Sequence, residues 1–257
     1  MNSKNNLFIV LLCLCFSSTS YGKTNQSLFQ VSTIDALLNG LYDGIITLAD
    51  LKQHGDFGIG TYDKLNGEML LIDGIFYRIE STGKISKPDM KESSPFAAVT
   101  FFTPDTSFSL YNQSMVQSTA AISTLLPSEN IFYAIKLSGT FSFVKTRSVP
   151  QQSKPYIPLT TIVKTQPEFE FKKVKGTITG FKCPSYVKGI NVPGYHLHFI
   201  DSELNGGGHV LDFTADSITV SVDKINNFAM HLPSTDAFYK TNLSGDKSAE
   251  LKKVEQK

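Results

Sequence analysis

Apolar and polar positions change their texture several times along the chain, and each change marks an element. The stretch 27–50 reads as helical in two short pieces. Thr33 is placed to cap 34–41 and Thr47 to cap 48–53, because a threonine hydroxyl accepts a backbone N–H of a first turn. Asn66-Gly67 and Asp73-Gly74 are two-residue turn signals flanked by apolar segments, so 57–62, 68–72 and 75–80 read as an antiparallel meander. The run FAAVTFF at 96–102 is apolar enough for a strand buried on both faces. A helix is expected over 111–126, ended by Pro127, and a strand over 132–146. Segment 148–158, with three prolines and two glutamines, reads as a domain boundary. Beyond it the pattern is almost all strand, at 169–175, 177–181, 195–200, 209–213 and 218–232. The tail 244–257 suits a short polar helix with Asp246 as its cap.

This pattern predicts an α+β fold with two strand-rich lobes, mixed and antiparallel sheets and few helices. An N-terminal lobe over 23–150 precedes a β-rich lobe over 151–257.

The first residues change the picture. Lys4, the apolar run LFIVLLCLCF at 7–16 and the small–x–small sequence Ser20-Tyr21-Gly22 have the layout of a secretory signal peptide over 1–22. The run falls short of the roughly 20 apolar residues a spanning helix needs. A secreted or periplasmic location is therefore expected. Cys13 and Cys15 would leave with the signal, so the mature chain keeps only Cys183 and forms no internal disulfide. At 18% charged residues and a net charge of +1, there is no electrostatic case for nucleic acid or an anionic membrane as partner. Exposed sheet edges would allow a homodimer.

The candidate chemistry lies in the second half. His196, His198 and His209 fall within fourteen positions. Residues two apart on a strand share a face, so His196 and His198 project together, roughly 6–7 Å apart along the chain. The turn-rich stretch 201–208 can fold the next strand back so that His209 faces them. Three converging imidazoles make a metal site with positions open for water or substrate, and the all-nitrogen set favours zinc, with iron, copper or nickel also compatible. The competing reading is three ordinary core or surface histidines. His54 and His231 have no partners in sequence and read as structural, while Asp201 and Glu203 read as loop residues.

Three blocks resemble the α-acetolactate decarboxylase family: GDFGIGTYDKLNGEMLLIDGIFYRI (55–79), LSGTFSFVKTRSVPQQSKPY (137–156) and GFKCPSYVKGINVPGYHLHFIDSELNGGGHVLDF (180–213). Tyr62 stands where a Phe is expected, and one Gly in the 206–208 turn is extra. The resemblance implies that His196, His198 and His209 bind Zn2+. It also implies active-site roles for Glu68, Arg147 and a C-terminal glutamate, matched by Glu255 with Glu250 the alternative, and a place for Thr61 in the pocket. From the residues alone, Arg147 and Glu68 could equally be surface groups. The implied reaction is loss of CO₂ from the small molecule 2-acetolactate to give acetoin, without an organic cofactor, because the substrate holds its own electron sink. Two other classes compete. A cupin-like metal oxygenase also uses His-x-His and would need His231 as a further ligand. A non-enzymatic metal-binding sheet domain would explain only the second half.

Overall fold

The computed structural model describes residues 26–255; the signal-like segment 1–22, with Cys13 and Cys15, lies outside them. Strands dominate. The first sheet has seven, in the order β14-β1-β8-β3-β4-β5-β6: β1 (Ser27–Val31), β3 (Phe57–Thr61), β4 (Glu68–Ile72), β5 (Ile75–Ile79), β6 (Ile85–Ser86), β8 (Phe96–Thr100) and β14 (Asn227–His231). All its pairs are antiparallel except β1 with β14, so the sheet is mixed. The second sheet contains β9 (Thr106–Ser114), β10 (Phe132–Arg147), β11 (Glu168–Cys183), β12 (Gly194–Asp201) and β13 (Gly207–Ile225). Because β10 pairs with both β11 and β13, this sheet closes on itself. Short strands β2 (Ile46–Thr47) and β7 (Ser93–Ser94) form a ribbon. The helices are α1 (Ile34–Leu38), α2 (Leu48–Leu51), α3 (Met115–Leu125), α4 (Leu159–Ile162), α5 (Asp236–Lys240) and α6 (Ser248–Glu255). None of them is long and apolar enough to cross a membrane.

Local sequence explains most of these elements. Thr33 and Thr47 cap α1 and α2 as expected, through Ala36 N and Asp50 N. The Asp73-Gly74 turn has positive φ at both residues (50° and 75°), the twist that a two-residue hairpin needs, and sets Ile72 opposite Ile75. The Asn66-Gly67 pair instead ends a longer loop. Thr61 pairs with Glu68, and the six residues between them include a 3₁₀ turn at Asp63–Leu65.

Several expectations are corrected. Residues 27–31 are a strand, not helix, because β8 and β14 pair with both edges of β1. Helix α3 begins at Met115, not at Tyr111. Ser114 accepts Gln117 N and Gln117 Oε1 accepts Ser114 N, a capping box that fixes the start, while 106–114 pair with β13. The two strands expected at 209–213 and 218–232 are one strand to Ile225 followed by β14, and those at 169–175 and 177–181 are the single β11. Sheet membership also crosses segment 148–158: β9 and β10 precede it but belong to the closed sheet, and β14 returns to the first.

The two sheets pack face to face. On β10, Tyr133, Ile135 and Leu137 enter the interior of the closed sheet, where Phe141, Phe199 and Phe213 also lie. The alternate residues Phe132 and Ala134 meet Leu28, Phe57, Ile59 and Ala98 of the first sheet, together with Phe181 and Cys183 of β11. Each large apolar side chain buried there contributes about 1.5–3 kcal/mol. Strand β4 lies against β12 across this interface, and the candidate histidines sit there.

Candidate active site

Alternation on β12 sets the geometry. Leu197 and Phe199 point into the closed sheet, so His196 and His198 face the other way, toward β4. His198 is the register partner of His209 on β13, and His209 is the partner of Arg147 on β10. Three neighbouring strands thus place three imidazoles and a guanidinium side by side. Gly208 permits this approach: its φ is +133°, and a Cβ there would lie 2.3 Å from the Arg147 carbonyl oxygen. From the opposite sheet the 62–67 loop presents Glu68, with Gly67 at φ +88° where a Cβ would meet the Ile79 oxygen at 2.4 Å. Thr61 Oγ1 donates to Gly67 O at 2.8 Å and holds that loop closed. Helix α6 brings Glu255 over the third side; Ser248 N bonds Asp246 Oδ1 at its start, and Leu251 and Val254 pack into the cluster around Ile34, Leu37 and Leu159.

One nitrogen from each histidine lies within 4.8 Å of the others, and the ring centroids are 5.1–5.4 Å apart. Glu68 Oε2 is 3.6 Å from His198 Nε2, and Glu255 Oε2 is 3.8 Å from His196 Nε2 and 3.6 Å from His209 Nε2. Arg147 stands between the carboxylates, with Nη1 3.6 Å from Glu68 Oε1 and Nη2 4.0 Å from Glu255 Oε1. It is held in place by Gln166 Oε1 at 3.1 Å and Val254 O at 2.9 Å. All seven expected residues therefore line one cavity of about 40 Å³, walled by Ile34, Leu37, Leu65, Phe96, Val149 and Leu159. That space suits a small ligand. A larger cavity, about 650 Å³, opens elsewhere beside Leu41, Pro95 and Phe238, and none of the seven lines it.

Burial controls the protonation states. Desolvation, followed by the field of Arg147, pushes His196 down to about 3. The same burial lowers His198 and His209 well below the usual histidine value, so all three imidazoles are neutral at ordinary pH. Glu68 is pushed up to about 7 by burial and the nearby Glu255, against the lowering by Arg147 and the Val149 N–H. Burial likewise raises Glu255 to about 7, opposed by Arg147.

The donor set fits a divalent metal. His198 Nδ1 lies 2.9 Å from Met69 O, which leaves Nε2 facing the cluster. His198 Nε2 and Glu255 Oε2 are both buried with no hydrogen-bond partner. Unpaired buried acceptors of this kind are costly unless something positive satisfies them. His231 takes no part: it is exposed on β14, so the cupin-like arrangement lacks its further ligand. His54 is exposed and stacks on Phe29 at 3.6 Å. Asp201 is buried, and its carboxylate accepts Glu203 N and serves the loop. Glu250 faces away from the cavity and pairs with Lys247 at 2.9 Å. Gln166 was not foreseen; a lone glutamine before a proline carries no sequence signal, and only the fold aims it at Arg147.

Residues 28–245 match the family model described as alpha-acetolactate decarboxylase. The chain belongs to this family. A relative from Methanosarcina mazei named alpha-acetolactate decarboxylase is 49% identical, over 89% of this chain and 80% of its own. A relative of the same name from Bacillus subtilis is 45% identical, over 87% and 89%. The crystal structure of alpha-acetolactate decarboxylase from Bacillus subtilis strain 168 superposes with a TM-score of 0.88 at 43% identity, covering 90% of this chain and all of that one. The match spans both sheets, which a metal-binding sheet domain limited to the second half would not. As a member of the family the chain is an enzyme, a carboxy-lyase.

Proposed function

We propose that the chain converts 2-acetolactate to acetoin and CO₂, that its metal is zinc, and that it works outside the cytoplasm. The observation that carries this reading is the convergence of three neutral imidazoles, two carboxyls and one arginine on a small, apolar-walled cavity. The residues that would hold zinc are His196, His198 and His209, and when bound it would supply Lewis-acid stabilisation of negative charge on the substrate's keto and hydroxyl oxygens.

The chain's own groups account for the remaining steps. Arg147 is fixed by Gln166 and Val254 O and offers its guanidinium to the substrate carboxylate or to the oxyanion that replaces it. When the bond to the carboxylate breaks, CO₂ leaves and the electron pair passes into the neighbouring ketone as an enediolate. A proton must then reach the carbon that lost CO₂. Glu68 and Glu255 both line the cavity beside the histidines, and either carboxyl is placed to deliver that proton. The wall from Ile34 to Leu159 limits water near the carbon, so protonation comes from a fixed group and from one face. Export is supported by the n-, h- and c-region pattern of residues 1–22.

Acetoin release from racemic acetolactate, followed with and without a chelator and after zinc readdition, tests the reading. Chelator-sensitive acetoin formation restored by zinc is expected. Activity untouched by complete metal removal would refute the zinc assignment, and absence of acetoin from the zinc-loaded protein would refute the reaction.

A further inference from the structure

The active-site cavity is shut. His196, His198 and His209 are 8%, 1% and 3% exposed, so a substrate has to cross a wall to reach them. Most of that wall is sheet. Thr61 and Glu68 belong to β3 and β4, Phe96 to β8, and the histidines and Arg147 to the closed sheet, all tied to neighbouring strands by ladder hydrogen bonds. The remaining side is a seam where three short helices meet: α1 supplies Leu37, α4 supplies Leu159 and α6 supplies Val254. There α6, the last element of the described residues, is joined to the rest through exposed Ser244, Gly245 and Asp246. Local opening favours segments held by side-chain packing rather than by strand ladders.

A second cavity, about 290 Å³, lies on the outer side of the same seam. Sequence neighbours line the two spaces in turn. Leu37 faces the active site and Leu38 the outer cavity; Leu159 faces the first, Pro158 and Thr160 the second; Val254 faces the first and Lys253 the second. The outer cavity is also positively charged, with Lys164, Lys247 and Lys253 set against Glu250 alone. Lys247 is taken up by Glu250 at 2.9 Å, while among the described residues neither Lys164 nor Lys253 has a carboxylate partner. Three other surface cavities lack this excess. Lys154 and Asp43 pair at 2.7 Å beside the largest, Lys188 and Lys247 face Asp35 and Asp246 under residues 243–248, and Lys84 meets Glu168 and Glu170 beside Gly83.

We propose that this outer cavity is the vestibule through which the anionic substrate enters, with Lys164 and Lys253 drawing in its carboxylate and the seam of Leu37, Leu159 and Val254 opening to pass it on. The role rests on the decarboxylation proposed above, whose substrate is a small carboxylate anion at neutral pH. Two unpaired ammonium groups at the mouth of a cleft raise the local concentration of such an anion and its rate of arrival. The site inside has a different balance, with two carboxyls beside the single guanidinium of Arg147. Attraction from the surface therefore falls to the lysines, and Arg147 takes the carboxylate once the seam has closed behind it. Neither lysine lines the active-site cavity, so both can be altered without touching the reacting groups.

The test is steady-state kinetics on acetolactate with the zinc-loaded protein and its Lys164→Glu/Lys253→Glu double variant, from about 20 mM to about 0.5 M salt. At low salt kcat/KM should fall about tenfold or more in the double variant, and at high salt, where charges are screened, the loss should shrink below about threefold. kcat at saturation should stay within about twofold and zinc content should not change, because the lysines act before the substrate is bound. Lys91→Glu/Lys224→Glu, an equal change in net charge at exposed lysines that line neither cavity, should have little effect. A reversible block locates the passage within a single folded protein. Thr160→Cys carrying a bulky neutral group as a mixed disulfide should lose most of its kcat/KM and regain it on reduction, whereas the same adduct on Lys224→Cys should be silent, Cys183 being buried. Unchanged kcat/KM in the double variant at low salt, a loss that persists at high salt or is matched by the control pair, or full activity in the blocked Thr160→Cys protein would overturn the vestibule and leave the reaction standing. No acetoin from the unaltered protein would overturn both.

Discussion

The ring of His198 is oriented by the backbone of Met69: its Nδ1 lies 2.9 Å from the Met69 carbonyl oxygen, across the interface between the two sheets. With the proton on Nδ1 donated there, the lone pair of Nε2 points into the cluster, 3.6 Å from Glu68 Oε2. Met69 directly follows Glu68, so one strand supplies both the carboxyl and the group that fixes the tautomer of its neighbour. The arrangement needs both sheets in register, and it leads directly to a metal-binding expectation.

His196→Ala, His198→Ala and His209→Ala should each lose tightly bound zinc and at least about 10²-fold in kcat, because each deletes one of three converging nitrogens. His54→Ala and His231→Ala should keep both, being exposed and remote from the cluster. Metal analysis after dialysis, beside kcat, checks the pair of expectations. Stoichiometric zinc in a His196/His198 double variant would remove the cluster as the metal site.

How much of this was legible in the sequence follows from how local each cause is. The Asp73-Gly74 hairpin, the caps at Thr33 and Thr47 and the shared face of His196 and His198 depend on neighbours in sequence, and all were readable. Strand β1 and residues 111–114 were misread because their conformation comes from pairing with β8, β14 and β13, far along the chain. The placement of Glu68, Arg147 and Glu255 came from family resemblance. Nothing local marks Arg147 as buried, and its guanidinium is covered only because β13, α6 and the loop holding Gln166 close around it. Gln166 itself was not visible at all.

The pKa shifts fix how the metal-free chain responds to pH. A histidine whose folded value is depressed adds stability above its unfolded value of 6.5 and loses it as pH falls toward the folded value, about 3 for His196. A glutamate whose folded value is raised adds stability below its unfolded value of 4.5 and loses it as pH rises through about 7. Between 4.5 and 6.5 the three histidines outweigh the two glutamates, and above 6.5 only the glutamates act. Stability of the chelated protein should therefore rise to a maximum near pH 6.5 and then decline slightly. Urea unfolding from pH 4 to 8 measures it, and a monotonic fall from pH 4.5 upward would contradict the neutral-histidine assignment. Metal entry at pH 7 should also release protons from the carboxyls, fewer in Glu68→Gln, as titration calorimetry in two buffers can show.

Arg147 and Gln166 should separate into chemical and positioning roles. Arg147→Lys keeps the charge but loses the fork that reaches Gln166 and Val254 O, so folding and zinc content should persist while kcat falls about 10²-fold or more. Gln166→Leu leaves the guanidinium intact but frees one arm, and a smaller loss of about tenfold is expected, with Gln166→Glu retaining more activity because it keeps the acceptor. Steady-state kinetics with zinc content measured alongside decides this. Equal losses in Gln166→Leu and Gln166→Glu would deny the glutamine its positioning role.

The tail gives the sharpest expectation, since the last residues of a chain usually tolerate removal. Here α6 is anchored before its end: Leu251 and Val254 are buried with Ile34, Leu37 and Leu159, and Lys188 pairs with Asp246 at 2.8 Å. Deleting 255–257 spares those anchors, so the protein should stay folded. It also moves the terminal carboxylate to Val254, whose carbonyl oxygen already accepts from Arg147 Nη2, so Arg147 should remain paired. What disappears is the Glu255 carboxyl beside His196 and His209. Activity should fall by about 10²–10⁴-fold, the usual worth of a positioned proton donor, while the three histidines keep the zinc bound. Glu255→Gln isolates the carboxyl and should reproduce the loss of kcat. Glu250→Gln, at a half-exposed position paired with Lys247, should be nearly silent. The readouts are kcat, zinc content and thermal midpoint for the three variants; full activity in the truncated chain would take Glu255 out of the site, and a loss confined to Glu250→Gln would transfer its role to that residue.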